Sequence, residues 1–123
     1  MNAEDTVEAY YDALRSGDAL VPFFAEGETV VKVGISERLV GSERVAEGLR
    51  EQTRTTSDWV VESRDLHVDG RESVAWFADT VRMSWTTDGG ERHDFETRWS
   101  GTLEYRDEDW RFVGMHVSAP REF

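Results

Sequence analysis

The chain has no cysteine, which excludes disulfides and thiolate-ligated metals. Its three histidines, His67, His93 and His116, are scattered without the paired spacing of a metal site, and no metal or cofactor is expected. Lysine is almost missing: Lys32 stands alone beside 13 arginines. The 14 basic residues face 26 acidic ones, a formal net charge of −12. Nucleic acid and anionic membrane surfaces need a basic patch, so both are excluded as partners. No apolar run approaches the roughly 20 residues that span a bilayer. The opening MNAEDTVEAYY also lacks the basic-then-apolar pattern of a secretory signal. These absences point to a soluble, cytoplasmic protein, and 123 residues suit a single domain spanning 1–123.

What is abundant is acid and aromatic. An acidic surface stripped of lysine is the pattern of proteins from extreme halophiles, where salt screens the mutual repulsion. A GC-rich genome would give the arginine bias by itself, and both explanations stay open. The five tryptophans, six phenylalanines and three tyrosines are many for a small domain. Aromatic cavities suit flat or apolar ligands; core filling and a subunit interface are the plainer uses.

In chain order, Ala3 to Ser16 carries Val7, Tyr10, Tyr11 and Leu14 at helical spacing, with acidic residues at its front and Gly17 as its stop. Asp18 is expected to cap a second, short helix with Leu20, Val21, Phe23 and Phe24, where Pro22 falls in the tolerated first turns. Thr29 to Val33 reads as a strand and Leu39-Val40 as its short return. Ser42 is expected to cap a third helix, SERVAEGLREQTR. From Asp58 onward the pattern is sheet: Trp59 to Val68, a turn at Asp69-Gly70, Ser73 to Trp85, a turn at Asp88-Gly89-Gly90, Arg92 to Arg106, and Trp110 to Ser118. Gly101 and Gly114 mark places for bends or bulges. The expected fold is α+β: a strongly curved antiparallel sheet, the last four strands a meander, with three helices from the N-terminal half on one face.

The long strand SVAWFADTVRMSW holds the sharpest irregularity. With a period of two, Ala75, Phe77, Asp79, Val81, Met83 and Trp85 face one way, and Trp76, Ala78, Thr80, Arg82 and Ser84 the other. Asp79 is the one carboxylate among apolar neighbours, where an unpaired charge is costly or shifts its pKa. In the last strand, unbroken alternation puts Phe112, Gly114, His116 and Ser118 on one face and Val113, Met115 and Val117 opposite. Asp79 and His116 are the candidate acid/base pair; both faces of the last strand hold apolar members, and the cavity-facing side of His116 is given by family resemblance alone. Structural roles compete with that reading: Asp79 tied to an arginine, an indole or Tyr10, and His116 a satisfied core histidine. His93 reads as a rim residue and His67 as exposed. Ser118 has no nucleophile elbow around it.

The segments VEAYYDALRSGD, FFAEGETVV, LVGSERVAEGLREQ and WRFVGMHVSAP together resemble the SnoaL-like group of the nuclear transport factor 2-like superfamily, in element order along nearly the whole chain. The resemblance implies a cone-shaped half-barrel whose concave sheet and covering helices enclose a pocket, commonly in a homodimer. It implies a cavity-facing His116 and Ser118, with Phe24, Phe77, Val81, Phe95 and Trp99 as further lining. Steroid isomerases, polyketide cyclases and dehydratases share the superfamily with non-enzymatic binding domains, so fold alone does not name the activity. Against the steroid isomerases, Tyr10 matches the oxyanion-donor tyrosine, but Lys32 stands where the base aspartate should be and Gly101 near the second acid. The resulting expectation is a pocket for a small apolar or aromatic molecule, with cofactor-free acid/base chemistry by Asp79, His116 and Tyr10 or with ligand binding alone. The dimer is expected through the outer sheet face, at Trp76, Val113, Met115 and Val117.

Overall fold

A computed structural model describes all 123 residues, Met1–Phe123. Helix α1 (Ala3–Ser16) is followed by a single 3-10 turn (Val21–Phe23), strands β1 (Val31–Val33) and β2 (Arg38–Val40), and helix α2 (Ser42–Thr55). Strands β3 (Thr56–Ser63), β4 (His67–Arg71), β5 (Val74–Thr87), β6 (Arg92–Arg106) and β7 (Asp109–Ser118) complete the chain. The seven strands form one curved, unclosed sheet in the order β2-β1-β7-β6-β5-β3, with β4 also paired to β5. The two helices lie against its concave face as an α+β cone. No helix is long and apolar enough to cross a membrane.

The first helix forms as its pattern dictates. Asn2 and Asp5 make a reciprocal capping box, Glu4 and Asp5 sit in the first turn, and Gly17 closes the helix in the left-handed region at φ 71°. Its buried stripe of Val7, Tyr10, Tyr11 and Leu14 enters the core. The Tyr10 ring meets Phe23, Phe24, Trp99 and Phe112 edge-on, with centroids 5.3 to 6.2 Å away. Such aromatic pairs add about 0.5–1.5 kcal/mol each beyond burial.

Several expectations are corrected. The second helix is only the 3-10 turn, because Phe24 turns extended, bridges to Phe112, and lets the Ala25 N–H donate to the Phe112 carbonyl at 2.9 Å. Ser42 does not cap α2. Gly41 holds the cap position, and the Ser42 hydroxyl accepts from the Gly27 N–H at 3.0 Å instead. The strand expected from Trp59 to Val68 is broken at Arg64–Asp65, so that β3 and β4 pair in succession with the same edge of β5. The next hairpin turns at Glu72–Ser73, three residues later than expected, since Gly70 pairs within the ladder opposite Ala75. A Cβ at Gly70 would lie 2.7 Å from the Val74 carbonyl oxygen, so this glycine serves close approach and not the turn. The sheet is also mixed, because β1 joins β7 in parallel.

One irregularity decides which residues face the cone's interior. Thr102 pairs with Gly114 but Leu103 with Phe112, leaving Val113 as an extra residue in β7. A bulge of this kind reverses the alternation beyond it. Phe112 is inside, and so are Met115 and Val117, at 3% and 5% exposure. Gly101 lies beside it, where a Cβ would come within 2.4 Å of the Gly114 carbonyl oxygen and 2.8 Å of the Phe77 ring.

Candidate functional site

The bulge separates the two residues expected to act together. His116 pairs with Ser100, which pairs with Ala78, and all three sit on the convex face. Asp79 pairs with Trp99, which pairs with Val117, on the concave face. His116 is exposed and Asp79 is 4% exposed, so the sheet lies between them. Ser118 follows His116 outward. The shallow convex groove that holds both, with His67 and Arg98, touches Asp79 and Trp99 from behind the strands.

Asp79 is bound within the fold. Its carboxylate accepts from the Tyr11 hydroxyl at 2.9 Å, the Ser63 hydroxyl at 2.6 Å and the Asp65 N–H at 3.0 Å. These three bonds join α1, the end of β3 and the β3–β4 bend, and they explain why the chain breaks at Arg64–Asp65. The partner is Tyr11, one position along the helix from Tyr10 and directed over β3 and β5. Burial, then the Asp79 charge and its hydrogen bond, push the Tyr11 phenol well above its ordinary value, so it stays a donor.

The polar groups that open to a cavity are different ones. A space of about 300 Å³ lies between α1, α2 and the concave sheet, floored by Met83, Trp99, Met115 and Val117. Lys32 projects into it from β1. The Lys32 side chain is 7% exposed and is ion-paired with Glu37, whose side chain is 34% exposed. The loop between β1 and β2 brings Glu37 back over Lys32, closed by the Gly34 N–H donating to the Glu37 carbonyl at 3.0 Å. Tyr10 lines the same space, its hydroxyl is not an orphaned buried atom, and it makes no hydrogen bond within the chain. Burial first, then the charge of Glu37, push the Tyr10 phenol well above its ordinary value. It therefore stays a neutral O–H donor in the cavity that the ion pair also lines. Gln52 and Glu51 of α2, with Trp59 and Trp85, form the mouth. The two indoles stack at 4.9 Å with 17° between planes, and Trp85 continues the contact to His93 at 5.3 Å and Phe95 at 5.7 Å.

Of the residues expected to line the pocket, Trp99 lines this cavity, together with Tyr10, while Phe24 borders a separate groove between the 3-10 turn and α2. Phe24, Phe77 and Val81 are core residues, 5%, 3% and 0% exposed, and the two phenylalanines pack on Phe112. Phe95 ends the aromatic ladder outside the cavity, and Ser118 faces the convex side. Of the outer set expected at a dimer interface, Met115 and Val117 point inward and Val113 packs toward the core, leaving Trp76, at 42% exposure. The sequence reading missed Glu37, Gln52 and the Trp59–Trp85 mouth. A lysine in an alternating strand, followed five residues later by a glutamate across a Gly-Ile-Ser turn, was the available signal for the ion pair. The groups gathered here can hold an oxygen, accept a proton and enclose a flat apolar body. Among the chain's acids and histidines, no cluster of three or more is placed to hold a metal ion.

A search of the curated proteins finds no match. Solved structures share the fold at low sequence identity. A protein of the nuclear transport factor 2-like family from Streptomyces avermitilis, provisionally described as a dehydratase, superposes with a TM-score of 0.84 at 16% identity, over 97% of this chain and 94% of its own. A nuclear transport factor 2-like superfamily protein from Salmonella enterica gives 0.82 at 16% identity, over 96% and 88%. A ketosteroid isomerase-like protein from Erwinia carotovora gives 0.77 at 17% identity, over 97% and 94%. The sequence profile of the SnoaL-like domain matches residues 3–122. With that match over nearly its whole length and this architecture, the chain belongs to the SnoaL-like domain family.

Proposed function

We propose that the protein takes up a flat, largely apolar carbonyl compound in the cavity beside Lys32 and moves a proton on it without a cofactor. The observation that carries this reading is the convergence of Lys32, Glu37 and Tyr10 on one aromatic-walled space. About 300 Å³ is at the lower end of small-molecule sites, enough for a two-ring ligand. Glu37 is the proton acceptor, the Tyr10 hydroxyl donates to the oxygen that gains charge, and Lys32 orients Glu37 and offsets the negative charge. The descriptions of the Streptomyces and Erwinia structures, a dehydratase and a ketosteroid isomerase-like protein, belong to proton-transfer chemistry and support the class. Binding of 2-acetylnaphthalene, followed by quenching of tryptophan emission, tests the pocket. Saturable quenching that Gln52→Trp abolishes by filling the mouth is expected. Quenching that is absent, or untouched by that variant, overturns the reading.

The same cavity supports a second reading as a binding site without turnover, because Lys32 already engages Glu37, the carboxylate nearest to it. Proton exchange on a bound ketone, present in the first case and absent in the second, separates the two.

A homodimer through the convex face is also proposed, on residues different from those first expected. One row across the sheet runs Val33, His116, Ser100, Ala78, and the next runs Val31, Gly114, Thr102, Trp76. In a chain that is 33% charged, these eight residues include no carboxylate, lysine or arginine. The rows run on to Arg38 at one end and to His67 and Asp69 at the other, and the Arg71 guanidinium lies 5.5 Å over the Trp76 ring. A patch without like charges is where two copies of so acidic a chain can meet. Sedimentation in molar salt is expected to give a dimer that Ser100→Arg dissociates; a monomer in the unsubstituted protein refutes it.

A further inference from the structure

Lys32 is the single lysine of the chain, and it is one of the few buried charged residues. Thirteen arginines serve every other cationic position. Arginine supplies charge and hydrogen bonds equally well, yet only an amine can lose a proton and bond to carbon. Around this amine stand the three things that amine addition to a carbonyl requires. A carboxylate, Glu37, is in direct contact to take and return a proton. A neutral phenol, Tyr10, opens to the same cavity to polarise the carbonyl oxygen. Walls of Trp99, Met115 and Val117 keep the space apolar, which favours loss of water from the adduct.

We propose that Lys32 is a nucleophile that forms an imine with an aldehyde or ketone held in the cavity. This rests on the reading of the cavity as a carbonyl-binding site and names its covalent step. Glu37 takes one proton from the Lys32 ammonium. The freed Nζ lone pair forms the N–C bond while the C=O π pair moves to oxygen, and one of the two protons left on nitrogen passes to that oxygen to give the carbinolamine. Glu37 returns its proton to the hydroxyl, water leaves, and the nitrogen lone pair closes the C=N bond. The sum is carbonyl plus ammonium to protonated imine plus water, with Glu37 restored as carboxylate. The product is an electron sink next to the α C–H bond, so the substrate class is a carbonyl compound with an acidic α position.

A sole lysine makes the test direct. The protein is incubated with 2-naphthaldehyde and cyanoborohydride, and the time course of mass gain is read on the intact chain, then mapped by peptide. One adduct on Lys32 is expected, formed faster than on N-acetyl-lysine amide at the same pH and competed by 2-acetylnaphthalene. Lys32→Arg should lose it. Glu37→Gln, in which Lys32 remains, should slow it by about 10²-fold, within the usual worth of positioned acid–base assistance. Labelling confined to the Met1 amine, or Lys32 labelling no faster than the free amine, overturns the proposal. If 2-acetylnaphthalene still binds in that case, the imine step alone fails; if it does not bind, the carbonyl site beneath it fails too.

Discussion

Replacing Asp79 by alanine tests whether this residue is an anchor of the fold. Its carboxylate receives three donors, from Tyr11, Ser63 and Asp65. Hydrogen bonds to a charged group contribute about 1.5–3 kcal/mol each, and a buried donor left without an acceptor costs about 1–3 kcal/mol. Tyr11 is 1% exposed, so water cannot replace Asp79 at its hydroxyl. Ser63 and the Asp65 N–H lie nearer the surface and regain solvent, while removing a buried charge returns part of its desolvation cost. The balance for Asp79→Ala is a loss of about 3–4 kcal/mol, a large share of the 5–15 kcal/mol typical of a domain. Tyr11→Phe leaves Asp79 two donors and should cost about 1–2 kcal/mol. In the double variant the orphaned hydroxyl is gone, so the losses should fall short of additivity by about 1–2 kcal/mol. Urea unfolding, followed by tryptophan emission and circular dichroism, gives all four corners of the cycle. An Asp79→Ala loss below about 1 kcal/mol, or strict additivity, would refute the anchoring role.

Two further perturbations probe the same framework. Tyr10 and Tyr11 both hold their phenolic protons more tightly when folded than the ordinary value of 10.0. The unfolded chain therefore loses these protons first, and stability falls as pH rises above that value, by about 1.4 kcal/mol per pH unit for each tyrosine. Phenolate absorbance from these two residues should appear only with unfolding, and Tyr11→Phe should halve the slope; phenolate formation in a chain still folded would contradict this. Gly101→Ala places a methyl against the Gly114 carbonyl and the Phe77 ring and should cost about 1–3 kcal/mol in the same urea assay. An unchanged unfolding midpoint would show that the strands can separate there.

How much of this was legible in the sequence follows from which physical signals are local. The first helix, the β5–β6 hairpin and the turn at Asp88-Gly89-Gly90 are specified by periodicity and turn residues close in sequence, and they form as expected. The α+β cone follows from their order. The facing of β7 was misread because one extra residue at Val113 inverts every position after it; Gly101 and Gly114 marked the neighbourhood as a place for a bulge, but alternation alone does not say whether one residue is inserted. That inversion moved His116 and Ser118 out of the cone and Met115 and Val117 into it. Asp79 was correctly read as a buried acid, yet Tyr10 was the tyrosine named as its partner where Tyr11 is the one that binds it, a difference set by a rotation of about 100° per helical residue. Lys32 was noticed as the sole lysine and as a departure from an isomerase pattern, not as a site residue. Its meaning depends on Glu37, which the β1–β2 loop brings back over it; the lysine and glutamate five residues apart across Gly-Ile-Ser were the one local sign of that pairing.

The measurement that tests the cavity most directly is deuterium exchange at the methyl group of 2-acetylnaphthalene in D₂O, followed by proton NMR. The unsubstituted protein and His116→Ala should speed the exchange alike, and Glu37→Gln should lose about 10²-fold or more. Exchange that survives Glu37→Gln, or that falls with His116→Ala, would contradict a site built on Lys32, Glu37 and Tyr10.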